Sequence, residues 1–360
     1  MIELGFERRD DGAYFLDPKI IEDNYTVTFN SNEVTGEHLD NNFWLDNGKV
    51  MVLAKTIPSW SKTYMMSIFG ELLFSKFALK NQIPCAEIDV GYYDGLYYTL
   101  SKSVMGQGEE KLSLRDLRRL CKKEDDYRLA TISETVSLLR EYCVLTGARI
   151  APNCFFKLKV VALGDYLVAQ RDRNITNMIF AVKETPFGKE IDVKPVIDNE
   201  NSFSFVYLLH RYNEKDLPQA SFLYKSEKGR RRINKLVSKA KIVGKDFSLP
   251  IFGVKSNPMF DWEALGIKDF FGELFKGTET KKYKDKICYE LAEDIRKDKR
   301  LFNLFKNITF DAKQCGEEIT NETGVVIPKA YLSLAQEVVD SRINDLWVAL
   351  DKQIQSERGG

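Results

Sequence analysis

Three oxygen-bearing side chains flank one predicted β-hairpin near the middle of the chain. Two apolar, β-prone runs, 177–183 and 191–197, are joined by a polar segment that contains proline and glycine, which predicts a hairpin. A hairpin brings the start of its first strand beside the end of its second, so Asn177 and Asp198 should be neighbours. Asp172 lies in the preceding loop and faces the same end. Oxygen atoms of this kind suit a hard cation such as Mg²⁺ that is shared with phosphate oxygens.

A second pair of residues could act on the phosphate groups themselves. Lys55 ends a predicted strand, and Glu71 lies in the middle of the predicted helix that follows. A lysine on a strand and a glutamate on the helix packed over that strand can form an ion pair, which would aim the ammonium group into a cleft. The full set is ordered along the chain as in a protein-kinase-like active site: Lys55, Glu71, Asp172, Asn177 and Asp198.

The elements that must position these residues before residue 105 are predicted to be short strands with one helix. Apolar residues at helical spacing from Met65 to Leu79 predict that helix, which ends near Asn81. An Asn-Gly and an Asp-Gly turn each separate two strand candidates, which indicates two hairpins. The strand candidates are 25–29, 43–45, 50–56, 87–92 and 97–104.

The chain changes character after Met105–Gly108, which is the best candidate for a hinge. Helical apolar spacing dominates beyond it, in the segments 132–146, 154–169, 264–275, 283–306 and 328–350. The sequence therefore predicts an α+β, bilobal, protein-kinase-like fold. Residues 1–105 would form a small, nucleotide-binding N-lobe that is rich in β-strands and contains one helix. Residues 106–360 would form a larger, mostly helical C-lobe with an embedded hairpin.

Three motifs resemble the HipA-like and CtkA-like serine/threonine kinases. Residues 163–177, with the sequence LGDYLVAQRDRNITN, look like that family's catalytic loop, whose pattern runs D-Y-L-I-x-N-x-D-R-H-x-x-N. Residues 194–198, KPVID, are similar to its metal-binding strand, which ends P-[IL]-x-D. Residues 82–86, QIPCA, match the G-I-P-x-A turn that follows its glutamate-containing helix. The resemblance covers roughly residues 43 to 205.

The resemblance implies a serine/threonine protein kinase that uses ATP and Mg²⁺. By that likeness, Asp172 is the catalytic base that accepts the proton of the substrate hydroxyl. Asn177 and Asp198 would hold Mg²⁺. Lys55 would contact the nucleotide phosphates, and Glu71 would orient it.

The resemblance also implies where adenine would bind. The strand from Tyr98 to Val104 would lead to the hinge whose backbone meets the base, which makes Ser101, Lys102 and Val104 candidate cofactor-binding residues. The loop over the phosphates would be Asn30 to Asp40.

Two departures from the family and kinase patterns keep a second class of function open. Asn174 stands where the family has histidine, and the loop 30–40 has one glycine, Gly36, in place of a G-x-G-x-x-G motif. Both features are compatible with a pseudokinase or interaction module. A kinase of a lipid or small-molecule hydroxyl is a third reading, because the same catalytic set serves many substrates.

The partner predicted from the motifs is a protein with a serine or threonine acceptor, and autophosphorylation of this chain is left open. HipA proteins pair with a DNA-binding antitoxin, so the resemblance leaves an antitoxin-like partner open for this chain. CtkA-like relatives act on host cells, which leaves a secreted effector role open. The start of the chain lacks the apolar core of a secretory signal, and the expected location is the bacterial cytoplasm.

Composition excludes several other classes of protein. The 53 basic and 53 acidic residues give zero net charge, which argues against a direct nucleic-acid binder. No stretch approaches the ~18 apolar residues that a membrane span needs. The six cysteines form no CxxC pair and there are two histidines, His38 and His210, so a zinc or multi-histidine centre is not expected. The basic run 228–241 is a solvated helix face or a docking site for an acidic partner.

Overall fold

The chain was analysed as a computed structural model, which describes residues 3–29, 42–55, 64–121, 132–168, 170, 177–197, 199, 202–204, 278–327 and 329–358. Asp172, Asp198, the loop 30–40 and the basic run 228–241 lie outside these residues, as do Asn174, His38, His210 and the predicted helix 264–275. In chain order the elements are β1 (Tyr14–Phe15), α1 (Pro18–Asn24), β2 (Thr26–Phe29), β3 (Phe43–Asp46), β4 (Met51–Lys55), α2 (Tyr64–Lys80), β5 (Ile88–Tyr93), β6 (Leu96–Lys102), β7 (Glu109–Ser113), α3 (Leu114–Leu120), α4 (Ile132–Thr146), β8 (Arg149–Ile150), α5 (Cys154–Leu167), β9 (Ile179–Thr185), β10 (Gly188–Val193), a 3-10 turn (Ser202–Ser204), α6 (Thr278–Lys297), α7 (Lys299–Lys306), α8 (Ala312–Thr323) and α9 (Lys329–Arg358).

A six-stranded sheet uses the strands before residue 105, in the order β1-β5-β6-β4-β3-β2. The two predicted hairpins are confirmed, since β3 pairs with β4 and β5 pairs with β6, both antiparallel. Val52, Ala54 and Leu100 pack on one face in the smaller apolar cluster. Val90 and Tyr97 lie on the other face, in the main core that also contains the apolar side of α2.

The prediction of a single helix in this part of the chain is wrong, because α1 precedes the sheet's second strand. The start of α1 carries two common helix-initiation signals, but the helix is too short to show helical spacing of apolar residues. Asp17 caps the helix by accepting a hydrogen bond from the Lys19 amide at 2.8 Å, and Pro18 occupies the first turn. Both features favour helix initiation in a segment too short to show a full apolar stripe.

The predicted hairpin after residue 176 is confirmed, with β9 and β10 joined by a two-residue loop. Its environment differs from the prediction, because it forms the middle of a four-stranded sheet in the order β7-β9-β10-β8. The outer strands were missed for a physical reason. β8 has two residues, and β7 begins with Glu109, Glu110 and Lys111, so neither shows the apolar alternation of a half-buried strand.

Most of the predicted helices are confirmed. The predicted span 132–146 is α4, α5 ends two residues before the expected end of 154–169, and the helix predicted at 328–350 is α9, which runs from Lys329 to Arg358. The single helix expected at 283–306 is two helices, because Asp298 leaves the helical conformation and caps α7 by accepting the Arg300 amide. The described helices include none with the length and apolar character needed to cross a bilayer.

The turn after α2 packs directly against α5. A Cβ atom on Gly164 would lie 2.9 Å from Cγ2 of Ile83, so glycine allows the close approach of α5 to the turn. The same turn pairs with the segment after β10: the Val196 amide donates to Pro84 O at 3.0 Å, and the Ala86 amide donates to Val196 O at 2.9 Å. Residues 82–86 therefore hold the chain that leads to Asp198.

Gln82 begins that turn with φ of 57°, a left-handed conformation that glycine adopts at no steric cost. The G-I-P-x-A pattern that residues 82–86 resemble has glycine at this position. A positive φ explains that preference, because glycine has no Cβ atom to clash.

We expect Gln82→Gly to stabilise the protein by about 0.5–1 kcal/mol, because relief of the left-handed strain outweighs the added freedom of the unfolded chain. Denaturant unfolding measures this change. Gln82→Ala removes the same exposed side chain but keeps Cβ, and it should give no gain. Equal stabilisation by both variants would contradict the backbone explanation.

A partly buried ion pair joins the predicted hinge to the segment after β10. The Lys194 ammonium lies 2.7 Å from Oε2 of Glu109, and the same oxygen accepts the Gly106 amide at 2.5 Å. Burial acts to raise the pKa of the Glu109 carboxyl, but the hydrogen bonds from Lys194 and Gly106 outweigh it, and the pKa lies below its ordinary value of 4.5. The charged carboxylate is therefore the form that the fold stabilises.

A group with a lowered pKa in the folded state stabilises the protein above its unfolded pKa and stops doing so as the pH falls through its folded pKa. We expect Glu109→Gln to lose about 1 kcal/mol of stability near pH 7, with a difference from wild type that shrinks below about pH 4. Urea unfolding at several pH values measures it. Glu110→Gln changes the same charge at an exposed neighbour and serves as the control. A difference that is independent of pH would overturn this assignment.

Candidate active site

The open end of the β9–β10 hairpin is where the sequence placed the metal ligands. The Lys194 amide donates to Ile179 O at 2.9 Å, which continues the ladder toward Asn177. Asn177 lies just before β9 and is 9% exposed. The Leu114 amide, at the start of α3, donates to Met178 O at 3.0 Å. The start of one strand and the end of the other therefore meet, as predicted, while the contact of Asn177 with Asp198 stays a prediction.

The chain on the N-terminal side of Asp172 is fixed by backbone hydrogen bonds. The Val168 amide closes α5 on Gly164 O at 3.1 Å, and the Gln170 amide donates to Asp165 O at 2.9 Å. Gln170 is completely buried. The Phe203 amide donates a hydrogen bond to Val168 O at 2.5 Å. This bond ties the start of the predicted catalytic loop to the chain that follows Asp198.

Glu71 contacts the chain directly after Asp198. Its Oε1 accepts a hydrogen bond from the Asn199 amide at 2.9 Å, across 128 residues of sequence. Glu71 is 5% exposed and Asn199 is 1% exposed, so water does not compete for this contact. Because Asn199 follows Asp198, the helix α2 and the predicted metal-binding segment are held at one point.

This contact is the main feature that sequence reasoning missed. The sequence assigned Glu71 to orienting Lys55 and gave no role to Asn199. A backbone amide carries no side-chain signal, and a partner 128 positions away cannot be found from local spacing. The order of the motifs predicts that Glu71 belongs to the site, and only the three-dimensional structure shows its hydrogen bond to the Asn199 amide.

Lys55 lies on the side of the sheet that faces α2. It is the direct antiparallel partner of Thr99, and paired residues of this kind point to the same face. Thr99 is two positions from Tyr97, which packs in the main core with α2. The neighbouring Ala54 points to the opposite face, in the smaller cluster. The placement is compatible with an ion pair between Lys55 and Glu71, which stays a prediction.

The candidate adenine-binding residues occupy the end of β6 and the turn beyond it. Ser101 lies between Leu53 of β4 and Ile88 of β5, inside the sheet. Lys102 forms an exposed ion pair with Glu87, with Nζ to Oε1 at 2.9 Å. Val104 is half-buried against the main core. Of these three residues, Val104 lies nearest in sequence to the predicted hinge, Met105–Gly108.

Glu109 holds that hinge in place and was also missed by sequence reasoning. Its carboxylate accepts the Gly106 amide, and its own amide donates to Gly106 O at 3.2 Å. Because Lys194 binds the same carboxylate, the hinge and the segment leading to Asp198 share one anchor. The predictive signal was weak: an acidic residue three positions after a glycine.

The donor set fits Mg²⁺ by its chemistry. Asn177 offers an amide oxygen and Asp198 a carboxylate, which are the hard oxygen ligands that Mg²⁺ takes together with phosphate oxygens. Within the described ranges, no three histidine, cysteine or acidic side chains converge as a closed metal site. A set of two protein ligands, as the sequence predicts here, would leave positions on the cation for nucleotide phosphates.

Comparison with known proteins places the fold. No protein-family model matches this chain, and no curated protein matches it in sequence. Among solved structures it is similar to the proinflammatory kinase CtkA of Helicobacter pylori, with 12% identity over 89% of this chain and 97% of that chain and a TM-score of 0.50. It also matches a chain of the toxin–antitoxin complex of HipA and HipB with operator DNA from Shewanella oneidensis MR-1, with 12% identity over 89% of this chain and 66% of that chain and a TM-score of 0.41. The chain therefore has a kinase-like fold, as the resemblance to CtkA-like kinases predicted.

Proposed function

We propose that this chain is an ATP- and Mg²⁺-dependent kinase that transfers the γ-phosphate to a serine or threonine hydroxyl of a protein, with autophosphorylation left open. The observation that carries the proposal is the buried hydrogen bond from the Asn199 amide to Glu71. It joins the glutamate of α2 to the chain after Asp198, which is the arrangement that a kinase-like site needs to keep its phosphate-binding and metal-binding parts together.

The residues have separate tasks in the proposed reaction. Asp172 accepts the proton of the acceptor hydroxyl as the oxygen attacks the γ-phosphorus and the bond to the β-phosphate oxygen breaks. Lys55 binds the nucleotide phosphates, and Asn177 and Asp198 hold Mg²⁺. When bound, the metal neutralises charge on the β- and γ-phosphates. Glu71 positions Lys55 and holds the backbone at Asn199.

The proposed phosphate transfer is supported by the fold shared with the kinase CtkA, and the proposed specificity for protein hydroxyls rests on the motif resemblance alone. The antitoxin-like partner and the bacterial cytoplasmic location stay predictions from the motif resemblance. A panel of protein, lipid and small-molecule acceptors tests the substrate class, and labelling of a lipid or small molecule in preference to protein would overturn this part of the proposal.

We expect Asp172→Asn and Asp198→Asn to lower phosphate transfer by about 10²–10⁴-fold, because the first loses the base and the second a metal ligand. Transfer of labelled γ-phosphate to protein and calorimetry with ATP and Mg²⁺ give the two readouts. Asp294→Asn is the control, since Asp294 pairs with Lys159 at 2.8 Å in a contact between α5 and α6.

Each pattern of results has one meaning. Transfer that is equal in wild type and both variants would show that these residues do not carry the chemistry. Nucleotide binding without transfer by wild type would instead indicate a pseudokinase, and absence of nucleotide binding would favour an interaction module.

The two roles of Glu71 can be separated by charge. Glu71→Gln keeps an oxygen that accepts the Asn199 amide but cannot attract Lys55 as a charge, so we expect wild-type-like unfolding with transfer lowered about tenfold. Glu71→Ala loses both roles and leaves a buried amide without its acceptor, which costs about 1–3 kcal/mol. Thermal unfolding and steady-state kinetics measure the split. Equal activity of Glu71→Gln and wild type would show that the charge does not act on Lys55.

A further inference from the structure

The two-residue segment Thr309–Phe310, between α7 and α8, contacts the C-terminal end of α2. Oδ1 of Asn81 accepts the Thr309 amide at 2.9 Å, and Nδ2 of the same side chain donates to Thr309 O at 2.9 Å. Nδ2 also donates to Phe77 O in the last turn of α2 at 2.8 Å. Asn81 is 6% exposed, so one buried amide ties the helix end to a segment 228 positions away.

Phe310 contacts both α2 and the chain after Asp198. Its ring meets Phe77 edge-on, with centroids 5.3 Å apart, and stacks on Phe203 at 5.8 Å with 11° between the ring planes. Phe203 is completely buried, and its amide donates to Val168 O at the end of α5. Phe310 therefore bridges three parts of the site: the helix that carries Glu71, the segment that begins with Asn199, and the start of the predicted catalytic loop.

The helix α8, which follows this segment, also contacts α2. Lys76 pairs with Glu322, and Lys80 pairs with Glu318 at 2.7 Å. All four side chains are partly exposed, so each pair adds little free energy. The two pairs are a helical turn apart on both helices, so both form when the same face of α2 is turned toward α8.

We propose that Thr309–Phe310 is a positioning element of the active site. It holds α2 through Asn81 and Phe77, and it holds the 199–203 segment through Phe203, so that the Glu71 carboxylate stays within hydrogen-bond distance of the Asn199 amide. The inference rests on the proposed kinase function for its effect on catalysis, but its effect on the Glu71–Asn199 contact can be measured without activity. Phe310 is a positioning residue, since it acts through α2 and Phe203.

A matched control is available five positions earlier. Phe305 is 2% exposed, and its ring packs against Trp347 of α9 with centroids 4.9 Å apart. Phe305→Leu and Phe310→Leu each replace one phenyl ring with the same smaller aliphatic side chain, five positions apart in the chain. Only the second change touches α2 and the chain after Asp198 in the described ring contacts.

The experiment measures thermal unfolding, kcat and KM for ATP, and amide hydrogen exchange in the peptide containing Asn199. We expect both leucine variants to unfold at lower temperature than wild type. Phe310→Leu alone should lower kcat by about ten- to a hundredfold, as expected when reacting groups are displaced, and should speed exchange at Asn199. Phe310→Tyr keeps the ring and should restore both values.

Asn81→Ala tests the other half of the contact, and Gln353→Ala is its control. Gln353 is 5% exposed and donates from Nε2 to Tyr289 O at 3.0 Å. Like Asn81, it is a buried side-chain amide that makes a long-range contact, in this case between α9 and α6. Faster exchange at Asn199 in Asn81→Ala but not in Gln353→Ala supports the proposal.

Equal behaviour of the Phe310 and Phe305 variants in both kcat and exchange would overturn the positioning role. A wild type that transfers no phosphate refutes the proposed function alone, because the exchange arm still decides whether Thr309–Phe310 holds the Glu71–Asn199 contact.

Discussion

The hydrogen bond from the Asn199 amide to the Glu71 carboxylate is the contact on which the geometry of the site depends. A carboxylate buried to this degree is costly unless it is hydrogen-bonded, and an amide buried to this degree must also find an acceptor. Each group therefore needs the other, although one belongs to α2 and the other follows the β9–β10 hairpin. The pairing restricts how far α2 can move relative to Asp198.

Two further contacts hold the same segment from other directions. The turn 82–86 pairs with Val196 on both its amide and its carbonyl, and Lys194 binds the Glu109 carboxylate that also closes the hinge. Five consecutive positions, 194–198, thus carry a charge pair, three backbone hydrogen bonds and a predicted metal ligand. Such density of fixed contacts suits a residue that must hold a cation precisely, because catalysis by position loses rate when the ligand shifts.

The sequence predicted what has a local or periodic signature. The β9–β10 hairpin followed from two apolar runs around a turn, and α2 and α4 followed from their helical spacing. The order of Lys55, Glu71 and Asn177 along the chain predicted a kinase-like site. What could not be predicted has no local signature: short outer strands such as β8, the backbone amide of Asn199, and the contact of Asn81 with Thr309, which closes a loop of 228 residues. Long-range pairing of this kind is decided by packing.

The placement of α2 also bears on where the chain divides. In sequence, α2 belongs with the strands before residue 105, and the two sheets do separate near that position. In packing, its apolar side lies in one continuous core with β5 and β6 of that sheet and also with α5, β9 and α9, and its polar side pairs with α8. A helix that is fixed by the last third of the chain cannot swing with the six-stranded sheet alone. Any movement of that sheet relative to the helical part therefore leaves α2 with the helical part or breaks the buried hydrogen bonds between Asn81 and Thr309.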